Sequence, residues 1–184
     1  MFQDKKIRTE EDKSSVIIFK IGWEEFAIEL LDVKEIIQAG QIRRLPKSLD
    51  FIEGIYNYRG DIIYIINLKK KLNLDEYLLY KSKVAQDEEK DEKDDDENSE
   101  STQKFIVIVN VNNKNIGFIV DRIMNVAYVN EKNLENMSPI FQTSLELSYI
   151  KNIIKFEDRP RILIDLGKVL SEAEQIIIQK EILT

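Results

Sequence analysis

With 184 residues, 43% of them hydrophobic, the chain is long enough to bury a core of its own, which excludes disorder throughout. It has no cysteine and no histidine, so disulfides, thiolate nucleophiles, histidine triads and histidine- or cysteine-bearing zinc sites are excluded. The net charge of −7 is uneven, because Asp87 to Glu100 holds ten acidic residues against two lysines, and the nearly neutral remainder lacks the basic face that nucleic-acid binding requires.

The first thirteen positions are mostly charged or polar and no apolar run reaches eighteen residues, which predicts a soluble, intracellular protein without leader or membrane span. The β-prone runs Val16 to Ile21 and Phe26 to Leu31 flank Gly22-Trp23-Glu24 and predict a hairpin; Val33 and Ile36, three apart, predict a helix-like piece after it. Gly54 to Tyr58 and Ile62 to Ile66 enclose the charged turn Arg59-Gly60, where glycine supplies the positive φ of a tight reversal. Arg59 is a permanently charged fork of five donors beside an apolar run, so partial burial demands a carboxylate or carbonyl partner. The acidic run reads as a disordered insert over 86–103, and its Asp94 to Glu100 segment lacks the sixth-position glycine of a calcium loop.

Beyond the insert, Phe105 to Val111, Ile116 to Val120, Val126 to Val129, Ile150 to Phe156 and Arg161 to Ile164 read as short strands, with turns at Asn112-Asn113-Lys114 and Glu157-Asp158-Arg159-Pro160. A closing helix over 165–184 carries Leu166, Val169, Leu170, Ala173, Ile176 and Ile177 at helical spacing. The fold is therefore mainly β. An internal repeat accompanies it: Val16 to Ile36 lies over Ile106 to Val126 at an offset of 90, and Phe51 to Ile55 lies over Tyr149 to Ile153 at an offset of 98. Two related β modules, about 14–80 and 104–170, follow from that repetition.

In order along the chain, Val33-Lys34-Glu35-Ile36-Ile37, Leu45-Pro46, Ile52 to Gly60, Ile65-Ile66-Asn67-Leu68, Gly117 to Asp121 and Ile162 to Leu166 resemble the CheW-like adaptor domains, over about residues 14–170. The resemblance implies two five-stranded SH3-like β barrels around a shared hydrophobic core, with short helices. It further implies a non-catalytic chemotaxis adaptor coupling chemoreceptor tips to a CheA-type histidine kinase, in the cytoplasm and at the membrane only through receptors. On the same analogy Val33, Ile36, Gly54, Asn57, Arg59 and Gly60 map to the receptor-facing region, and Glu35 is the partner of Arg59. Two departures stand out, the long acidic insert and Asn152 where the family usually has glycine; asparagine tolerates the left-handed conformation.

No glycine-rich phosphate loop, nucleophile elbow or paired carboxylates occur at a motif spacing, so no catalytic residue, metal site or cofactor is assigned. The other readings are an adaptor for a non-motility kinase pathway, and a β-barrel nucleic-acid module stacking bases on Trp23, Tyr56, Tyr58 and Tyr64, which the neutral body disfavours.

Overall fold

The computed structural model describes residues 13–46, 48–74, 103–137 and 147–181; the acidic run Asp87 to Glu100 lies outside them. The first hairpin pairs β1 (Lys13–Ile21) with β2 (Glu24–Glu29) across a reversal in which Gly22 has φ 59°. A 3-10 turn at Leu30–Asp32 then leads into β3 (Val33–Gln38). The second hairpin, β4 (Ile52–Tyr58) and β5 (Asp61–Asn67), ends in one helical turn, α1 (Leu68–Lys71), where the Asn67 side chain accepts from the Lys70 amide. After the insert come β6 (Phe105–Val111), β7 (Lys114–Val120), β8 (Arg122–Asn130), β9 (Leu134–Glu135), β10 (Ile150–Ile154), β11 (Arg161–Ile164) and α2 (Glu172–Glu181).

The expected pair of closed five-stranded barrels does not form. The strands make two open sheets, one of six in the order β8-β1-β2-β11-β10-β9 and one of five in the order β3-β6-β7-β5-β4. No ladder joins β3 to β4, because the outer edge of β4 is met by the connector instead: Arg43 and Ile55 exchange both backbone hydrogen bonds at 2.9 Å. In the larger sheet β9 takes the corresponding edge, beside β10. Both devices cover backbone groups that an open edge would leave unpaired.

Each sheet draws strands from both halves of the chain. The β1–β2 hairpin sits among β8, β10 and β11, whereas the β6–β7 hairpin sits among β3, β4 and β5. The repeat read from the sequence recurs in the pairing itself. Val16 faces Glu29 and Ala127, as Ile106 faces Ile119 and Ile37; the parallel pair Phe26 with Ile162 is answered by Ile116 with Tyr64. Even the irregularities correspond. The register slips between Val33 and Glu35 and between Ile123 and Asn125, and again between Ile52 and Gly54 and between Ile150 and Asn152. These bulges overturn the helix-like piece expected at Val33/Ile36, which lies in β3, as its repeat equivalent Ile123/Val126 lies in β8. One extra residue in a strand puts positions three apart on one face, and that spacing mimics a helix.

Packing follows the same plan. A shared cluster between the sheets includes Ile17, Phe19, Phe26, Ile66, Val107 and Phe118, while each sheet curls around a smaller cluster: Val16, Ile18, Ala27, Val129, Ile154 and Leu163 in one, Tyr58, Ile63, Ile65, Ile106, Ile108 and Ile119 in the other. The C-terminal segment is not one helix from Asp165. Asp165 caps a 3-10 turn over Leu166–Lys168, and α2 starts afresh at a capping box in which Ser171 Oγ accepts from the Glu174 amide (3.3 Å) and Glu174 Oε2 from the Ser171 amide (2.8 Å). The apolar stripe is also rotated from expectation: Ile178 is buried against the shared cluster, and Ile176 and Ile177 are exposed.

Candidate functional site

The reversal between β4 and β5 has positive φ at both central residues, Arg59 (54°) and Gly60 (93°), the geometry that matches the twist of the flanking strands. Asn57 fixes it, its Oδ1 accepting from the Gly60 amide at 2.9 Å. Asn110 does the same for the β6–β7 reversal, accepting from the Asn113 amide at 3.1 Å. With its backbone held, the Arg59 side chain crosses to the opposite edge of the five-stranded sheet. There Nη2 lies 2.9 Å from Glu35 Oε2 and 3.0 Å from Oε1.

Tyr58, buried beside the turn, donates its hydroxyl to Glu35 Oε2, and the guanidinium carbon of Arg59 sits 5.3 Å from the Tyr58 ring centre. Lys34 completes the group, with Nζ 3.0 Å from Asn115 Oδ1 and 5.8 Å from the same ring. Glu35, Tyr58 and Arg59 therefore lace together two sheet edges that share no backbone ladder. The Tyr58 hydrogen bond and then the Arg59 charge hold the Glu35 carboxyl below its ordinary value of 4.5, against partial burial; Glu35 in turn, with burial, raises the Tyr58 hydroxyl above 10.0. By linkage, the Glu35 contribution is present above 4.5 and lost as pH falls through its lowered value, and that of Tyr58 is present below 10.0 and lost as pH rises through its raised value. The Arg59 side chain is 72% exposed, so the cluster fixes geometry more than it adds stability.

The six residues mapped to the receptor-facing region fall in three environments. Asn57, Arg59 and Gly60 are exposed at the turn, Val33 and Ile36 are half-buried on the side of β3 that packs against the shared core, and Gly54 is buried beneath the Arg43 carbonyl. The turn residues thus come together with Glu35, and Val33 and Ile36 face away from them. Tyr58 is the residue that reasoning from charge alone misses; its position next to Arg59, at the inward-facing end of an alternating strand, is the available signal.

The corresponding loop of the second half, between β10 and β11, is longer and differently charged. Arg161 donates from Nη1 and Nη2 to Asp158 (2.9 and 2.8 Å) and from Nε to Glu25 (2.7 Å), and Arg159 reaches Glu25 at 2.5 Å. The Arg161 hydrogen bonds pull the Asp158 carboxyl from 3.8 down to about 2. A carboxyl-detected NMR titration should show that depressed midpoint, and Arg161→Lys, which lacks the planar fork, should return it most of the way to 3.8. Asn152, at the bulge equivalent to Gly54, is not among the described residues with positive φ; its amide instead donates to Asn136 Oδ1 at 2.9 Å.

Two open sheets that share one core, one of them carrying an exposed turn braced by side chains, define a two-sheet β module. The CheW-like domain model matches residues 15–174, and the chain belongs to the CheW-like domain family. Its similar relatives include the chemotaxis protein CheW of Treponema pallidum, 28% identical over 89% of this chain and 86% of that one, and that of Klebsiella aerogenes, 27% identical over 94% and 91%. Among solved structures it resembles the scaffolding protein TtCheW from Thermoanaerobacter tengcongensis, with TM-score 0.63 and 27% identity over 85% of this chain and 91% of that one.

Proposed function

We propose that this chain is a chemotaxis adaptor that couples the cytoplasmic tips of chemoreceptors to a CheA-type histidine kinase, contributing binding surfaces and no chemistry. The observation that carries the reading is the family match over 15–174, which takes in both sheets and the Arg59 turn. Among the described residues no helix is long and apolar enough to cross a membrane, and the adaptor reaches the membrane through its receptors.

Asn57, Arg59 and Gly60 offer a receptor helix an exposed polar edge, and Val33 and Ile36 add an apolar contribution from the other face of β3. Gly54 acts beneath that surface by admitting the 42–43 connector. Kinase control is then allosteric, the adaptor transmitting receptor state through two surfaces held on one core. Reconstitution of purified receptor signalling fragments, a CheA-type kinase and this chain tests the reading through co-sedimentation and kinase activity. The intact chain should change both, and Arg59→Ala should weaken co-sedimentation about tenfold, as loss of an interface arginine does, with little change in melting temperature. If the intact chain altered neither sedimentation nor kinase activity, the proposal would be wrong.

A further inference from the structure

An arginine lies over an aromatic ring at the rim of each sheet. Arg59 Cζ stands 5.3 Å from the Tyr58 ring centre in the five-stranded sheet, and Arg161 Cζ stands 4.6 Å from that of Phe156 in the six-stranded one. The repeat offset of 98 carries Tyr58 onto Phe156, so the two rings are equivalent positions that differ by one hydroxyl. The two guanidinium forks are spent differently. Arg161 uses all three nitrogens within the chain, Nε on Glu25 and Nη1 and Nη2 on Asp158, and its side chain is 13% exposed. Arg59 uses Nη2 alone, which reaches both oxygens of Glu35; Nε and Nη1 make no bond among the described residues, and the side chain is 72% exposed.

The Tyr58 hydroxyl bears on that difference because it holds the carboxylate. Tyr58 is buried in one cluster with Ile63, Ile65, Ile106 and Ile108, and its hydroxyl donates to Glu35 Oε2. Carboxylate and guanidinium pair most strongly through two parallel bonds from two nitrogens, the arrangement that Asp158 reaches with Arg161. Glu35 does not reach it. With Oε2 engaged by the phenol, both of its oxygens meet the same nitrogen of Arg59. Lys34, the remaining charged group around the carboxylate, is directed to Asn115 Oδ1 at 3.0 Å.

We propose that Tyr58 is a positioning residue for receptor coupling: its hydroxyl confines Glu35 to one nitrogen of Arg59 and so leaves the Nε and Nη1 donors at the surface, where a carboxylate of the receptor accepts from them. The inference rests on the adaptor reading for its partner. A guanidinium with open donors keeps its charge and its planar geometry for an aspartate or glutamate side chain of that partner. In the other rim, where the ring has no hydroxyl, the fork is consumed internally and braces the fold.

Hydrogen exchange of the Arg59 Nε–H and Nη–H protons, read by side-chain NMR on the free full chain, needs no receptor. It should slow at least about threefold in Tyr58→Phe, where the released Glu35 takes a second nitrogen of the fork. Removing one hydroxyl leaves the ring in its cluster, so the melting temperature should move by no more than about 4 °C. In co-sedimentation with purified receptor signalling fragments, Tyr58→Phe should weaken coupling about fivefold, and Tyr58→Phe with Arg59→Ala no further than Arg59→Ala alone, because Tyr58 acts through Arg59. Arg59→Glu, which sets like charge against a carboxylate, should weaken it at least about threefold beyond Arg59→Ala. An intact chain that does not co-sediment would sink the adaptor reading and the receptor carboxylate together, whereas unchanged exchange in Tyr58→Phe would overturn the role of Tyr58 alone. Undiminished coupling in Tyr58→Phe, additive losses in the double variant, or equal losses in Arg59→Glu and Arg59→Ala would each overturn the proposal.

Discussion

Replacing Gly54 with alanine is expected to destabilise the protein by about 3 kcal/mol or more, lowering its melting temperature by roughly 10 °C. Gly54 has φ +151°, and a Cβ there would stand 2.2 Å from the Arg43 carbonyl oxygen and 2.7 Å from its carbon. Both atoms belong to backbone tied to Ile55 by two hydrogen bonds, so nothing soft is available to move. The connector that covers the β4 edge would have to lift, taking the bridge with it. Gly60 is the control: it also has positive φ, 93°, but a Cβ there meets nothing within 4 Å, so Gly60→Ala should cost only the backbone term, about 1 kcal/mol. Thermal or denaturant melts separate the two. Loss of receptor coupling in Gly54→Ala with an unchanged melt would instead make Gly54 a direct contact.

Gly117→Ala is the second large effect, about 2 kcal/mol, and it arises from overpacking without backbone strain. The added methyl would stand 2.6 Å from Ile106 Cγ2 and 2.7 Å from Ile65 Cδ1, in the middle of the five-stranded sheet. The repeat equivalent is Ala27, fully buried, so the position is small in both halves. Ile65→Val deletes the clashing Cδ1. Alone it should cost about 1 kcal/mol; combined with Gly117→Ala it should recover about 1 kcal/mol relative to the sum of the single changes. A double-mutant cycle read by denaturant titration checks this, and strict additivity would place the strain elsewhere.

Much of this was legible in the chain. Alternating apolar residues and Asn/Gly reversals located the hairpins; the charge of Arg59 called for a carboxylate or carbonyl partner, and the family resemblance named Glu35, which lies against it. Closure of the sheets was not legible, because whether an edge strand finds its opposite edge or a passing connector is decided by a single bridge, here Arg43 with Ile55. The helix-like reading of Val33 and Ile36 failed for a local reason: a one-residue bulge at Lys34 gives a strand the spacing of a helix. In α2, three consecutive isoleucines left the buried face undetermined by periodicity, and the Lys71–Glu174 pair at 2.6 Å, with Asn112 donating to Gln175 at 2.7 Å, orients the helix so that Ile178 turns inward.

The crossing of hairpins between the two halves also bears on ancestry. In the observed pairing the first hairpin of each half joins strands of the other half, so a chain with one copy of the repeat would reproduce that pairing only with a second molecule. Two such chains trading hairpins would build the observed strand orders, with identical registers and bulges related by a two-fold axis. The present protein has the architecture of a domain-swapped homodimer made permanent by fusion. Neither half of such an architecture is obliged to match the other, and the rims differ: Arg59 crosses to Glu35 in one, whereas in the other Arg161 lies 4.6 Å from the Phe156 ring centre and pairs with Glu25.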